Sequence, residues 1–362
     1  MTADLETARR DFPFLAQCTY LNTASAGLAR TGLGQAVSRF YDDMLSRGYE
    51  GRDDWRAVAG LVQERLARLL NVEPADVSFA GSTTEALNLI AHSLPVTPGD
   101  RIVVADDEFP SVGLALAGLA ARGAEIVCVP VADEAGRTQA LAEAASDARY
   151  LGVSHVHWHT GTKIDLAALS RACREAGCGL IVDGIQAAGA TPVDASLADA
   201  YVASVFKWLL AGFGLGIVVT QPAFRERLTP AFRGYFNPPP SRDLRYGHIS
   251  YPVLCALDSS LAYLEGLGWE RIFARVETLR VHLLARAARN GFQAVTPADA
   301  AAGIVSLRTK GAEAVADALR RQRTHVEARG PCLRVSPHFY NTETEVDRFA
   351  DQLAEIGRGN LS

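Results

Sequence analysis

The chain has 362 residues, 48% hydrophobic and 21% charged, with 36 Lys+Arg against 41 Asp+Glu and a net charge of −5. That length and composition exclude a disordered chain and predict two or three domains, or one large α/β domain with an appendage. The mildly acidic balance gives no electrostatic reason to bind nucleic acid or anionic lipid, and no apolar run approaches the roughly 18–20 residues that cross a bilayer.

The first residues, MTADLETARRDFPF, mix acids and bases without the apolar centre of a signal peptide, so a soluble, cytoplasmic protein is expected. Residues 30 to 70 carry a helical pattern broken at Gly48-Tyr49-Glu50-Gly51. From 77 to 220, short β-branched runs alternate with Ala/Leu-rich stretches. Strands are predicted at Val77–Ala80, Arg101–Ala105, Glu125–Val131, Tyr150–Trp158, Gly179–Asp183, Ala200–Val205 and Leu215–Thr220. Helices fall near 84–93, 111–122, 137–147 and 166–176, an alternation that argues for a parallel sheet covered on both faces. A Pro-rich loop, Asn237–Pro240, precedes two long helical patterns at 252–266 and 269–290. The end reads strand 302–308, helix 311–322, strand 331–336 and helix 343–356, a small α/β unit with its own sheet. The expected division is a large domain over 15–250 and a small one over 251–362, with 1–14 packed on the latter.

Cys18, Cys128, Cys173, Cys178, Cys255 and Cys332 are scattered without a CxxC and read as reduced, mostly buried thiols. Only Lys163, Lys207 and Lys310 among the basic residues are lysine. Arginine serves for surface charge but cannot form an imine, which gives each lysine weight.

Four features fall at predicted strand ends, where open α/β sheets bind ligands. Gly81-Ser82-Thr83-Thr84-Glu85-Ala86 is a small polar turn before a helix, suited to a phosphate or simply to capping the helix. Asp183 ends an apolar strand, with Gln186 just after it. A carboxylate there needs a cation, or caps the next turn. Lys207 lies among aromatic and aliphatic neighbours that would lower its pKa; otherwise it snorkels from a strand end. Arg334 offers a planar fork for a carboxylate, unless it pairs with Glu343 or Glu345. Phosphate turn, Asp-x-x-Gln and Ser204-x-x-Lys207 in this order fit a pyridoxal phosphate site.

With these motifs the chain resembles the class V aminotransferase-fold, fold type I enzymes, a group that holds cysteine desulfurases, isopenicillin N epimerase-like proteins and kynureninase. The resemblance runs through Tyr20–Ala24, Phe79–Ala91, Glu108-Phe109-Pro110-Ser111, Val182–Lys207 and Leu333–Val346. It implies a large domain with a mostly parallel seven-stranded sheet flanked by helices, a smaller C-terminal α/β domain, pyridoxal 5'-phosphate as cofactor and a homodimer. It implies that Lys207 forms the internal aldimine and deprotonates Cα of the external one. Asp183 would pair with the pyridinium nitrogen and Gln186 would contact the ring hydroxyl side. Ser82, Thr83, Thr84 and Ser204 would bind phosphate, with Phe109 stacking on the ring. His157, where desulfurases tend to have asparagine, takes a catalytic role facing cofactor oxygen or substrate. Arg334 would grip the substrate carboxylate, with Asn22 also on the substrate side.

Three departures stand out. Phe206 replaces the histidine that precedes the lysine in desulfurases. Gly247-His248 stands where relatives often carry Gly-Thr reaching the partner's phosphate. The stretch Leu319–Glu327 lacks the desulfurase loop cysteine, and Cys332 is read as structural. His155, His157 and His159 share one strand face, but without a nearby carboxylate no metal is expected. The expected function is a lyase or aminotransferase on a small or sulfur-containing amino acid, ahead of an epimerase and a desulfurase. Lys207, Asp183, Gln186 and Arg334 together argue against a non-catalytic binding protein.

Overall fold

The computed structural model describes residues 5–131, 133–300 and 302–359. In the first two-thirds of the chain the helices are α1 (Leu5–Ala8), α2 (Leu33–Arg47), α3 (Arg52–Leu70), α4 (Thr83–Ser93), α5 (Pro110–Ala117), α6 (Arg137–Ala144), α7 (Leu166–Ala176) and α8 (Pro222–Arg225). The strands there are β1 (Thr19–Tyr20), β2 (Val77–Ala80), β3 (Arg101–Ala105), β4 (Glu125–Val129), β5 (Tyr150–Ser154), β6 (Gly179–Asp183), β7 (Ala200–Ser204) and β8 (Gly216–Thr220). The remainder forms α9 (Tyr251–Leu267), α10 (Trp269–Arg289), β9 (Val305–Arg308), α11 (Ala312–Arg321), β10 (Thr324–His325), β11 (Glu327–Arg329), β12 (Cys332–Val335) and α12 (Glu343–Gly359).

β2 to β8 build one seven-stranded sheet in the order β2-β8-β7-β6-β5-β3-β4. Its centre is apolar on both faces because alternate residues of each strand point to opposite sides. Val103, Leu151, Val182 and Tyr201 enter one core, and Ile102, Val104, Ile181 and Val202 enter the other. β8 alone runs antiparallel to its two neighbours. Residues 205–215, which join β7 to β8, are too few for the crossover of about a dozen or more residues that a parallel neighbour needs.

β9, β11 and β12 form an antiparallel sheet of three strands in the order β11-β12-β9, packed on α10, α11 and α12. The beginning of the chain is tied to this second unit: β1 pairs in parallel with β10, and Asn22 bridges to Ser336. Phe12 and Leu15 pack with Leu264, Leu267, Ile272, Phe339 and Tyr340, and Arg9 meets Glu345 at 2.8 Å. Residues 1–4 of the expected N-terminal packing, and 360–362 of the small unit, lie outside the described residues. α9 gives Leu254, Leu257 and Leu261 to the core of the large sheet, whereas α10 gives Leu279 and Leu283 to the small one. Among the described residues no helix is long and apolar enough to cross a membrane.

The strand expected over Tyr150–Trp158 stops at Ser154. The chain turns through His157, whose N–H donates to Thr162 O at 2.8 Å, and Gly161 takes φ +76°. A Cβ on Gly161 would stand 2.4 Å from Ile304 O, so the turn depends on glycine. His155, His157 and His159 therefore do not form the strand-face row that the sequence suggested.

Candidate active site

Lys207 follows the wholly buried strand β7 by three residues and is only 9% exposed. The residues on either side of it are held from three sides. Gly27 N–H donates to Phe206 O at 2.9 Å, the Trp208 indole donates to Gln186 Oε1 at 2.9 Å, and His338 Nε2 donates to Trp208 O at 3.1 Å. The approach is close: a Cβ on Gly27 would lie 2.1 Å from Lys207 O. Leu210 takes φ 55°, a conformation that leucine rarely adopts, where the chain turns away from the lysine. Lys207 Nζ lies 5.9 Å from the centre of the Phe109 ring and 5.6 Å from that of Phe206. Burial and the Arg334 charge bring its pKa down to about 8, against the pull of Asp183.

Asp183 closes β6 and is 2% exposed. Burial pushes its carboxyl up to about 6, and the Ile185 N–H it accepts at 2.9 Å and the Lys207 charge oppose that rise. A carboxylate so placed is stabilised by a cationic N–H, which is what a protonated pyridine offers. Gln186 accepts from Trp208 and donates one Nε2–H to Ala24 O at 3.1 Å. Its remaining N–H is what it can offer a ring substituent.

At the opposite end, Thr83 opens α4, and both its N–H and its Oγ1 lie 2.7 Å from Ser204 Oγ. The fold thus joins two hydroxyls 121 residues apart at a helix N-terminus, as an anion site requires. Ser82 is also a true cap, accepting from Glu85 N–H at 3.1 Å, so both readings of the turn describe it. Thr84 meets Ser111 at 2.7 Å. Glu85 accepts from Gly81 N–H at 2.7 Å, which occupies one donor of the turn. His248 lines a hollow beside Gly81 and Glu85. Buried amine, buried carboxylate, hydroxyl-lined helix start and facing Phe109 ring fit pyridoxal phosphate.

Arg334 lies on β12 and is 3% exposed. It donates from Nη1 to Trp158 O at 2.9 Å and from Nη2 to Ser25 Oγ at 2.7 Å, while its buried Nε has no partner. Burial lowers its pKa to about 10. The alternative pairing with Glu343 or Glu345 fails, because Arg275 binds Glu343 at 2.5 Å and Arg9 binds Glu345. Asn22 donates to Glu327 Oε2 at 3.2 Å, and its buried Oδ1 is unpaired.

His157, expected to face cofactor oxygen or substrate, is held by hydrogen bonds within the protein. Its Nε2–H donates to Asp107 O at 3.0 Å and its Nδ1 accepts from Thr160 N–H at 3.2 Å, which fixes the ring in place. The Arg334 charge is felt at His159, whose pKa falls through burial and that charge. The expectation that no carboxylate stands near the histidines also fails. Asp107, Glu134 and His157 place ligand atoms within 4.8 Å of one another. The buried Arg137 guanidinium lies against both carboxylates, 3.0 Å from Asp107 Oδ1 and 3.0 Å from Glu134 Oε1, and supplies the positive charge there.

Glu108 is a site residue that sequence reasoning passed over, although it sits beside Phe109. Its carboxylate accepts from Ser154 N–H at 2.9 Å and Ser154 O–H at 2.5 Å. Burial raises it to about 7, with Asp183 adding to the rise and the Ser154 bonds opposing it. The folded protein then binds a proton that the unfolded chain releases, so this group's contribution to stability falls as pH rises from about 4.5 to 7. Glu108→Gln is expected to flatten the fall in melting temperature between pH 5 and pH 8; an unchanged slope refutes the assignment.

The chain matches the aminotransferase class-V family over residues 20–349, and it belongs to that family. It is a pyridoxal phosphate-dependent enzyme of fold type I. It is 31% identical to isopenicillin N epimerase of Streptomyces clavuligerus over 97% of this chain and 98% of that one. An uncharacterized aminotransferase of Bacillus subtilis (strain 168) is 25% identical, covering 96% of this chain and 97% of that one. The apo structure of a cysteine desulfurase from Thermococcus onnurineus NA1 superposes with a TM-score of 0.88 at 21% identity, covering 98% of each chain.

Proposed function

We propose that the chain is a lyase or aminotransferase acting on a small free α-amino acid, with Lys207 moving the Cα proton and Arg334 gripping the α-carboxylate. The observation that carries this reading is a buried amine facing the Phe109 ring at 5.9 Å, together with a buried guanidinium whose Nε lacks a partner. Pyridoxal phosphate supplies, when bound, an electron sink for the charge that develops at Cα. Asp183 would keep the ring nitrogen protonated, Thr83 and Ser204 would anchor the phosphate, Phe109 would cover one ring face, and Gln186 would donate to the ring hydroxyl side. Lys207, whose burial favours the neutral amine, would accept the Cα proton and return it from the same side. Proton return from one side suits transfer and elimination. Epimerisation is the second reading, favoured by the 31% identity to isopenicillin N epimerase along nearly the whole chain.

Desulfuration is disfavoured. Cys332 is 2% exposed on β12, and burial raises its thiol pKa. Cys332→Ser is expected to change kcat less than about threefold. A thousandfold loss, with a persulfide on Cys332 in the unaltered protein, would restore the desulfurase reading. The exposed Tyr235, Phe232 and Tyr246 near the phosphate turn support a homodimer, and six free cysteines accord with a cytoplasmic setting.

The test adds a panel of L- and D-amino acids to the purified protein, follows the cofactor absorption, and identifies products by mass spectrometry. Keto acid with aminated cofactor, or a β-elimination product, is expected. An inverted amino acid as the sole product selects epimerisation, and no spectral response to any amino acid overturns the reading.

A further inference from the structure

β11 and β12 run antiparallel with Glu327 opposite Arg334. Arg329, two residues on, lies on the same sheet face as Glu327 and therefore as Arg334. Arg334 donates to Trp158 O, and the Arg329 guanidinium lies 6.0 Å from the centre of the Trp158 ring. That ring is 5.8 Å from Phe109, whose own ring is 5.9 Å from Lys207 Nζ. Arg329 thus stands one indole beyond the ring expected to face the cofactor, beside the carboxylate fork. Its charge reaches the site, since it lowers the pKa of Lys207, Arg334 and His159.

Arg329 is poorly satisfied within the protein. Its described carboxylate neighbour is Glu327 at 3.4 Å, longer than the roughly 2.7–2.9 Å of a charge-assisted hydrogen bond. The other Glu327 oxygen is taken by Asn22, and the Arg329 Nε is buried without a partner. Two neighbouring guanidiniums each keep an unpaired Nε. A substrate with one carboxylate answers only one of them.

We propose that Arg329 is a specificity-determining residue that receives a carboxylate on the substrate's side chain, so that the substrate is a dicarboxylic α-amino acid. This rests on the amino-acid reading above. A neutral side chain in its place leaves the Nε of Arg329 unpaired, and sites built to hydrogen-bond a group discriminate strongly against analogues lacking it.

The experiment compares kcat/KM for L-aspartate against L-asparagine and for L-glutamate against L-glutamine, with dissociation constants from spectral titration and from thermal upshift. The unaltered enzyme is expected to prefer the acidic member of one pair by about a hundredfold or more. The pair that responds reports the side-chain length the site accepts. Arg329→Gln is expected to lower that preference by at least about thirtyfold and to weaken binding of the acidic ligand in the same proportion, with Arg329→Lys in between. Glu327→Gln, which removes the competing carboxylate, is expected to tighten acidic-ligand binding; this arm and the unaltered enzyme's preference stand even where Arg329→Gln does not fold. Equal rates on acidic and neutral members, or an Arg329→Gln variant that slows both alike, overturns this proposal while leaving the amino-acid reading in place. If no amino acid binds at all, both fall together.

Discussion

Lys207→Ala is expected to lose turnover by about ten-thousandfold or more while still retaining cofactor weakly. The size follows from the two tasks of one nitrogen. As proposed, it would tether the cofactor and carry the Cα proton, a general acid–base role worth roughly a hundred- to ten-thousandfold by itself. Lys163 cannot substitute, because its Nζ is held by Thr191 Oγ1 at 2.9 Å. The contacts proposed for Thr83 and Ser204 to the phosphate do not involve Lys207, so residual cofactor binding is expected to persist in the variant. Borohydride treatment of the unaltered protein followed by peptide mapping checks the tether directly. A label on Lys163 or Lys310 refutes the assignment, as does a Lys207→Ala variant with more than about a tenth of the original rate.

Arg334 should give the second largest loss. Its guanidinium is buried, linked only to a carbonyl and a hydroxyl, and lacks a carboxylate partner among the described residues. A charge-assisted pair with the substrate in so dry a setting contributes about 2–4 kcal/mol, so Arg334→Ala should lower kcat/KM by roughly thirty- to a thousandfold. Most of the loss should fall in KM. A smaller share should fall in kcat, because Arg334 lies on the small sheet yet bonds the Trp158 turn of the large one, and so couples carboxylate capture to the fit of the two units. Arg334→Lys should recover little, since an ammonium cannot reproduce the two-pronged geometry. The melting temperature should shift by only a few degrees, because relief of a buried charge offsets the removal of the hydrogen bonds to Trp158 O and Ser25 Oγ. A variant that melts early yet still prefers amino acids to the corresponding decarboxylated amines would show that Arg334 is structural.

The central strands were legible in the sequence for a simple reason. β3, β6 and β7 are continuous apolar runs bounded by turn residues, the pattern of a strand covered on both faces. Lys207, Asp183 and the Ser82–Thr84 turn stood out because each places polar chemistry directly after such a run. β1, β10 and β11 were not legible. They are two or three residues long and are strands only because a distant segment pairs with them. Local pattern carries no record of such partners.

The same division applies to the side chains. The sequence by itself determined the order of phosphate turn, carboxylate, lysine and arginine, since those depend on residue type at strand ends. Only the tertiary structure decided their partners. It gave both His157 nitrogens to Asp107 and Thr160, lodged Arg137 between two carboxylates, assigned Glu343 to Arg275 and Glu345 to Arg9, and left Arg334 and Arg329 with unpaired edges. The physical reason is that a hydrogen bond or ion pair is set by distances of a few ångströms between groups that can be hundreds of residues apart, as Thr83 is from Ser204 and Arg334 from Ser25. Periodicity specifies which face a side chain takes; the packing of one unit against the other specifies what it meets there.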